Sequence, residues 1–212
     1  MKTRTRVTTF LLLGTIAVAI VLPAGAYDYP LSPEAVREAY MLGKADGAKR
    51  ADFFARYTHH LPLPATGPHI AIVQLETPFA VVVDHTTQAL NYYAPDAAEE
   101  FAGKPGIFRV HVEIDLTESY GALRSSTDGV AHLRSPDFWQ DFKIRLMQGK
   151  EIHARTVHGS PIYLAGDGTV LSGADVDLEY DAAKIKSDAA TVEVIAPDGQ
   201  NVKARFDLAT LR

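Results

Sequence analysis

From residue 106 to 117 the chain alternates without a break: Phe108, Val110, Val112, Ile114 and Leu116 fall between Arg109, His111, Glu113 and Asp115. Successive side chains of a strand point to opposite faces, so the segment predicts a strand with one face buried and the other wet. A second segment fixes a register as well. Pro197-Asp198-Gly199 suits a three-residue connection, Pro197 setting φ and Gly199 taking the left-handed position. That turn pairs Val194 with Val202 and Val192 with Ala204 on an inner face, and Glu193 with Lys203 on an outer one.

Other strands are read from β-branched runs at 70–75 and 79–83, and from 162–164 and 169–180 on either side of a Gly166-Asp167-Gly168 turn. A further hairpin is expected around Gln148-Gly149-Lys150, with Phe142, Ile144 and Leu146 facing Ile152, Ala154 and Thr156. A two-residue turn there would set Leu146 against Glu151 and spoil the buried face. The stretch 119–137 has turn residues and few apolar ones, and reads as an exposed loop.

Helical signals precede the strands. Ser32 is a good N-cap with Pro33 at the first helical position and Glu34 in the first turn, and Gly43 can end the helix at C′. A second helix is expected from 48 to about 59, where Phe53, Phe54 and Tyr57 form a stripe continued by Leu61, and Pro62 and Pro64 close it. A short third helix opens at Pro95 and ends near Gly103. The sum is a mainly β (α+β) chain: a helical segment at 27–64, then an antiparallel β-sandwich-like domain at 65–212 with one short inserted helix.

The first 26 residues read as a cleaved secretory signal. Lys2, Arg4 and Arg6 supply a positive start, residues 10–22 are apolar, and Ala24-Gly25-Ala26 offers small residues for cleavage before Tyr27. Thirteen apolar residues fall short of the ~20 that span a bilayer. The arginines are separated by Thr5, so the general secretory route is expected rather than the twin-arginine one. The expected destination is periplasmic or extracellular, with the membrane met only during export.

Removal of that segment would leave 186 residues and take the net charge from −5 to −8. An acidic chain with no Lys/Arg run is a poor partner for nucleic acid or an anionic membrane surface. An exporting route permits disulfides, yet the chain has no Cys, so its stability must come from packed apolar surface.

Chemistry is harder to place. The chain lacks the nucleophile-elbow, zincin, phosphate-loop and EF-hand patterns, and no motif calls for a cofactor. His111, Glu113 and Asp115 share one strand face and are the best metal or acid/base candidates, although same-face neighbours sit roughly 6.5 to 7 Å apart and splay. Asp84-His85 and His158-Gly159-Ser160 contain the residue types of a Ser-His-Asp site without any signal that they meet. A basic patch is expected from Trp139, Lys143 and Arg145 on one strand and His153 and Arg155 on the strand facing it. It would hold an acidic protein segment or an anionic glycan, with Trp139 as stacking surface. Alternatively, the same cations pair with Asp175, Asp177 and Glu179 across the sheet. The leading expectation is a non-catalytic binding or interaction domain outside the cytoplasm. The alternatives are a secreted hydrolase or metal-dependent enzyme centred on His111, Glu113 and Asp115 with His153 or His158 as a further member, and a carrier for an apolar ligand between helices and sheet.

Overall fold

A computed structural model describes residues 27, 29–89, 91–125, 130–164 and 170–212. The signal-like stretch with Ala24 and Ala26, and the Gly166-Asp167-Gly168 turn, lie outside the described residues. Tyr27 is the first residue described. Its N–H donates to Leu211 O at 2.8 Å, its hydroxyl to Ala182 O at 2.6 Å, and its ring meets Phe108 edge-on.

The fold is mixed α+β. Helix α1, Pro33–Gly43, starts where the sequence predicts, the Ser32 hydroxyl accepting from Ala35 N at 3.1 Å. Gly43 is not the C′ residue but the last helical one. A Cβ there would lie 2.6 Å from Val83 O, so this glycine lets α1 close on the third helix. Helix α2 covers only Gly47–Ala55. The chain then extends, and Thr58–His60 forms strand β1, which moves His59 and His60 off the expected helix end. The His59 ring nitrogen Nε2 instead meets Arg205 O at 3.0 Å.

Strand β2, His69–Glu76, is followed by the largest departure from expectation. Residues 79–83 are not a strand but the first turns of α3, Pro78–Gln88. Thr77 caps it by accepting from Ala80 N, and Pro78 occupies the first turn. Phe79, Ala80, Val81, Val82 and Val83 are all buried, so tertiary packing overrides the β preference of three consecutive valines. Helix α4, Ala94–Phe101, matches the expected short helix. With α1 and α3 it makes a packed helical layer.

The strands form two main antiparallel sheets. Strand β3, Ile107–Asp115, buries Phe108, Val110, Val112 and Ile114 as the alternation requires. Two short strands, β4 (Leu123–Ser125) and β5 (Ala131–Leu133), pair inside the stretch expected to be a plain loop. Then come β6 (Lys143–Gln148), β7 (Lys150–Ile152), β8 (Thr156–Tyr163), β9 (Leu171–Asp181), β10 (Ala189–Ile195) and β11 (Asn201–Asp207). The five-stranded sheet runs β1-β2-β3-β9-β8 and the four-stranded sheet β11-β10-β6-β7. Because β1 lies in the 27–64 segment and pairs with β2, that segment is woven into the larger sheet.

The β10–β11 hairpin has the expected register residue for residue, and Lys203 Nζ sits 2.7 Å from Glu193 Oε1. The β6–β7 hairpin holds only in part. Leu146 faces Ile152 as predicted, but after Ile152 the chain leaves and re-enters the other sheet as β8. Ala154 and Thr156 therefore do not face Ile144 and Phe142. One apolar core unites the layers, with Val36 and Tyr57 from the helical side, Val112 and Val176 from one sheet, and Leu146 and Val192 from the other.

Candidate functional site

The outer face of the five-stranded sheet carries a cluster of polar side chains. Its register lines up Gln74, His111, Asp177 and His158 in one row and Glu113, Asp175 and Ser160 in the next. His111 Nδ1 lies 3.0 Å from Asp177 Oδ1 and its Nε2 3.5 Å from Asp175 Oδ1. Burial alone would lower the His111 pKa, but the Asp177 hydrogen bond and the two carboxylate charges outweigh it and raise it. The Asp177 carboxyl is lowered in return: its own burial raises it, and the bond to His111 overrides that. A carboxylate oxygen beside each ring nitrogen favours the imidazolium form of His111, in which both nitrogens donate and neither keeps a lone pair for a metal.

The three expected ligands go to separate partners. Asp115 Oδ2 is 3.4 Å from His69 Nδ1, and Glu113 stands between acids, raised by burial first and then by Asp115 and Asp175. Among the described residues no three His, Asp or Glu side chains are placed to share an ion. Ser160 Oγ is 3.3 Å from His158 Nε2 on open surface. Asp84 is engaged by Arg109 at 3.2 Å and His85 lies 3.7 Å from Glu100, so neither joins that pair.

The His111 charge cluster has a pH signature. A raised folded-state value means that its contribution is complete below the ordinary histidine value of 6.5 and is lost as pH rises through the folded one. The lowered Asp177 value means that its share is present above the ordinary 3.8 and lost on acidification through the folded value. His111→Gln should therefore cost about 1 to 2 kcal/mol near pH 5.5 and markedly less near pH 9, read as urea midpoints at the two pH values. Equal losses at both would show that His111 acts through shape and not charge.

The expected basic patch divides. Trp139 belongs to a 3-10 turn, Phe138–Asp141, immediately before β6, and its indole lies on Gly159 of β8. It thus spans from the entrance of one sheet to the edge strand of the other. A Cβ on Gly159 would fall 2.1 Å from the indole Cε2, so only glycine admits the ring. The indole Nε1 is buried and has no hydrogen-bond partner. Beside it runs a groove of about 380 Å³ whose walls include Lys143, Arg145, Glu151, Val157, Val176 and Leu178. Arg145 Nε is 3.8 Å from Glu151 Oε2, whereas Lys143 is exposed and has no ion-pair partner among the described residues.

His153 and Arg155 lie elsewhere, because the chain crosses between sheets after Ile152. His153 is 85% exposed and 3.6 Å from Glu151, and Arg155 lines a different cavity beside α3 and α4. The alternative pairing of the cations with the β9 acids is not what forms. Asp175 and Asp177 turn to His111, and Glu179 accepts from the Thr156 hydroxyl at 3.0 Å.

Sequence reasoning missed one polar cluster altogether. Arg109 Nη1 lies 3.1 Å from Glu76 Oε2 as well as near Asp84, and Gln74 Nε2 donates to Glu76 Oε1 at 2.6 Å. Glu76 is 3% exposed. Its pKa is pushed up to about 7 by burial; Arg109 opposes that rise and the Asp84 charge adds to it. The hidden signal was the Thr77-Pro78 helix start, which brings Asp84 of α3 back over β3.

The chain matches no protein family, no curated protein and no solved structure. Among the described residues no helix is long and apolar enough to cross a membrane.

Proposed function

We propose that this chain is an exported, non-catalytic binding domain that takes an acidic, extended segment of a partner protein into the groove beside Trp139. The groove carries the reading: Lys143, without an ion-pair partner among the described residues, and Arg145, shared with Glu151, line it together with the apolar Val157, Val176 and Leu178, on a chain whose net charge is negative. Strand β7 covers β6 only from Leu146 to Gln148, so among the described residues no strand pairs with the β6 margin at 143–145 on that side. Such a margin suits an incoming extended backbone. An apolar floor favours peptide side chains over the hydroxyls of a glycan. The sandwich-like packing of the two sheets belongs to the same reading, supported by the core that their inner faces share.

Export rests on the signal-like pattern of residues 1–26, and the partner is placed outside the cytoplasm with it. A binding role is preferred to a hydrolytic or metal-dependent one on positive grounds. The groups that such chemistry would need are already engaged, His111 by two carboxylates and Asp115 by His69.

The test is a binding array of acidic peptides, with Asp or Glu alternating with Leu or Val, beside carboxylated and sulfated oligosaccharides. The expected result is peptide binding that weakens with salt and is lost in the Lys143→Glu, Arg145→Glu double variant. Binding of glycans alone would overturn the peptide assignment. Binding that survives the double variant would remove the groove from the account.

A further inference from the structure

The five residues first grouped as one basic patch leave Arg155 in a second place, and there the surroundings are apolar. A cavity of about 400 Å³ lies between the helical layer and the five-stranded sheet, walled by Leu31, Val81, Phe101 and Ile107, with Lys104 and Arg155 also on its lining. Small-ligand sites run from about 300 to 1,000 Å³, mostly apolar with a few polar groups that set orientation. Lys104 and Arg155 are both exposed, and among the described residues neither has an ion-pair partner.

The walls are tied in place by the backbone. Gly103 N donates to Leu31 O at 3.0 Å, which fixes the segment before α1 against the end of α4. Ala182 N donates to Gly106 O at 3.2 Å, and Arg155 N to Glu179 O at 2.7 Å, so two further walls are held by the end of β9. The cavity is therefore preformed. Glu100 also lines it, but its carboxylate is engaged, accepting from the Tyr92 hydroxyl at 2.6 Å and lying 3.7 Å from His85 Nε2.

We propose that this cavity binds a small amphipathic carboxylate, its hydrocarbon tail among Leu31, Val81, Phe101 and Ile107 and its carboxylate between Lys104 and Arg155. The site is independent of the groove beside Trp139: the two share no lining residue, and either can fail without the other. A carboxylate answers both cations at once, while the tail removes apolar wall from water.

Calorimetric titration of the whole protein with hexanoate, octanoate and decanoate tests the assignment. Each pair of added methylenes should tighten binding roughly tenfold until the cavity is full. Decanol, with the same tail and no charge, should bind at least tenfold more weakly than decanoate. Lys104→Glu with Arg155→Glu, at exposed positions that leave the core untouched, should abolish decanoate binding without changing the circular dichroism. Val81→Phe should block the tail from within. If that variant does not fold, the charge-reversed pair decides the matter alone. Decanoate that does not bind, binds with no dependence on chain length, or binds the charge-reversed protein equally well would overturn the proposal.

Discussion

Gly159→Ala should destabilise the protein by about 3 kcal/mol, although glycine to alanine on a strand is ordinarily neutral or helpful. The added methyl would lie 2.1 Å from the Trp139 indole, inside any real contact distance, and a rigid bicyclic ring cannot bend away as an aliphatic chain can. Either the indole leaves its seat or β8 moves off β9. Because Trp139 is the single tryptophan, the first outcome is directly visible as a red shift of the emission. Gly121→Ala is the matched control, since its nearest neighbour would be 3.4 Å away, and it should leave stability within about 0.5 kcal/mol. A neutral Gly159→Ala with unchanged emission would mean that Trp139 does not bridge the sheets, and the groove walls would lose their support.

Glu76→Gln should stabilise the protein at high pH and do almost nothing at low pH. The folded-state pKa of about 7 stands above the ordinary 4.5, so Glu76 contributes stability below 4.5 that disappears as pH rises through 7. Ionisation of this buried side chain opposes folding by roughly 3 kcal/mol at pH 9, at about 1.4 kcal/mol per pKa unit. The substitution mimics the protonated acid once the Gln74 amide turns over: the new amide oxygen accepts from Arg109, the new NH2 donates to the Gln74 oxygen in place of the present Gln74 Nε2 donation, and Arg109 keeps Asp84 at 3.2 Å. Thermal or urea midpoints from pH 4 to pH 9 should thus diverge between the two proteins as pH rises from the ordinary 4.5, the advantage of the variant being complete above about 7. A loss of stability at pH 9 would show that the Glu76–Arg109 attraction exceeds the burial penalty, reversing the sign.

Where two independent constraints agree, the sequence was a sufficient guide. The β10–β11 hairpin has a turn type and a residue alternation that allow one register, and β3 has nine residues of unbroken period two. Reading failed where one signal stood alone. Three valines in 79–83 carry β preference, yet a Thr-Pro start and the burial of residues 78–83 make the first turns of the helix apolar on every side, which erases the period that would have revealed it. The β6–β7 hairpin was legible up to Ile152 because turn geometry is local; the crossing to the other sheet is a tertiary event with no local mark. For the same reason Arg155 was grouped with Trp139, and His111 with Glu113 and Asp115 rather than with Asp175 and Asp177. Neighbours along a strand can be read from spacing, whereas neighbours across strands need the register. Gly159 entered the sequence reading only within His158-Gly159-Ser160, and the ring that requires it lies twenty residues earlier.

The most direct measurement is the indole N–H resonance of Trp139, a single peak in a nitrogen–proton spectrum because the chain has one tryptophan. The account predicts a slowly exchanging signal in the free protein, as expected of a buried and unbonded donor, which shifts and saturates on titration with an acidic, apolar-alternating peptide and stays still in the Lys143→Glu, Arg145→Glu variant. A signal that exchanges freely with solvent before any ligand is added, or that ignores every peptide which the protein binds, would contradict it.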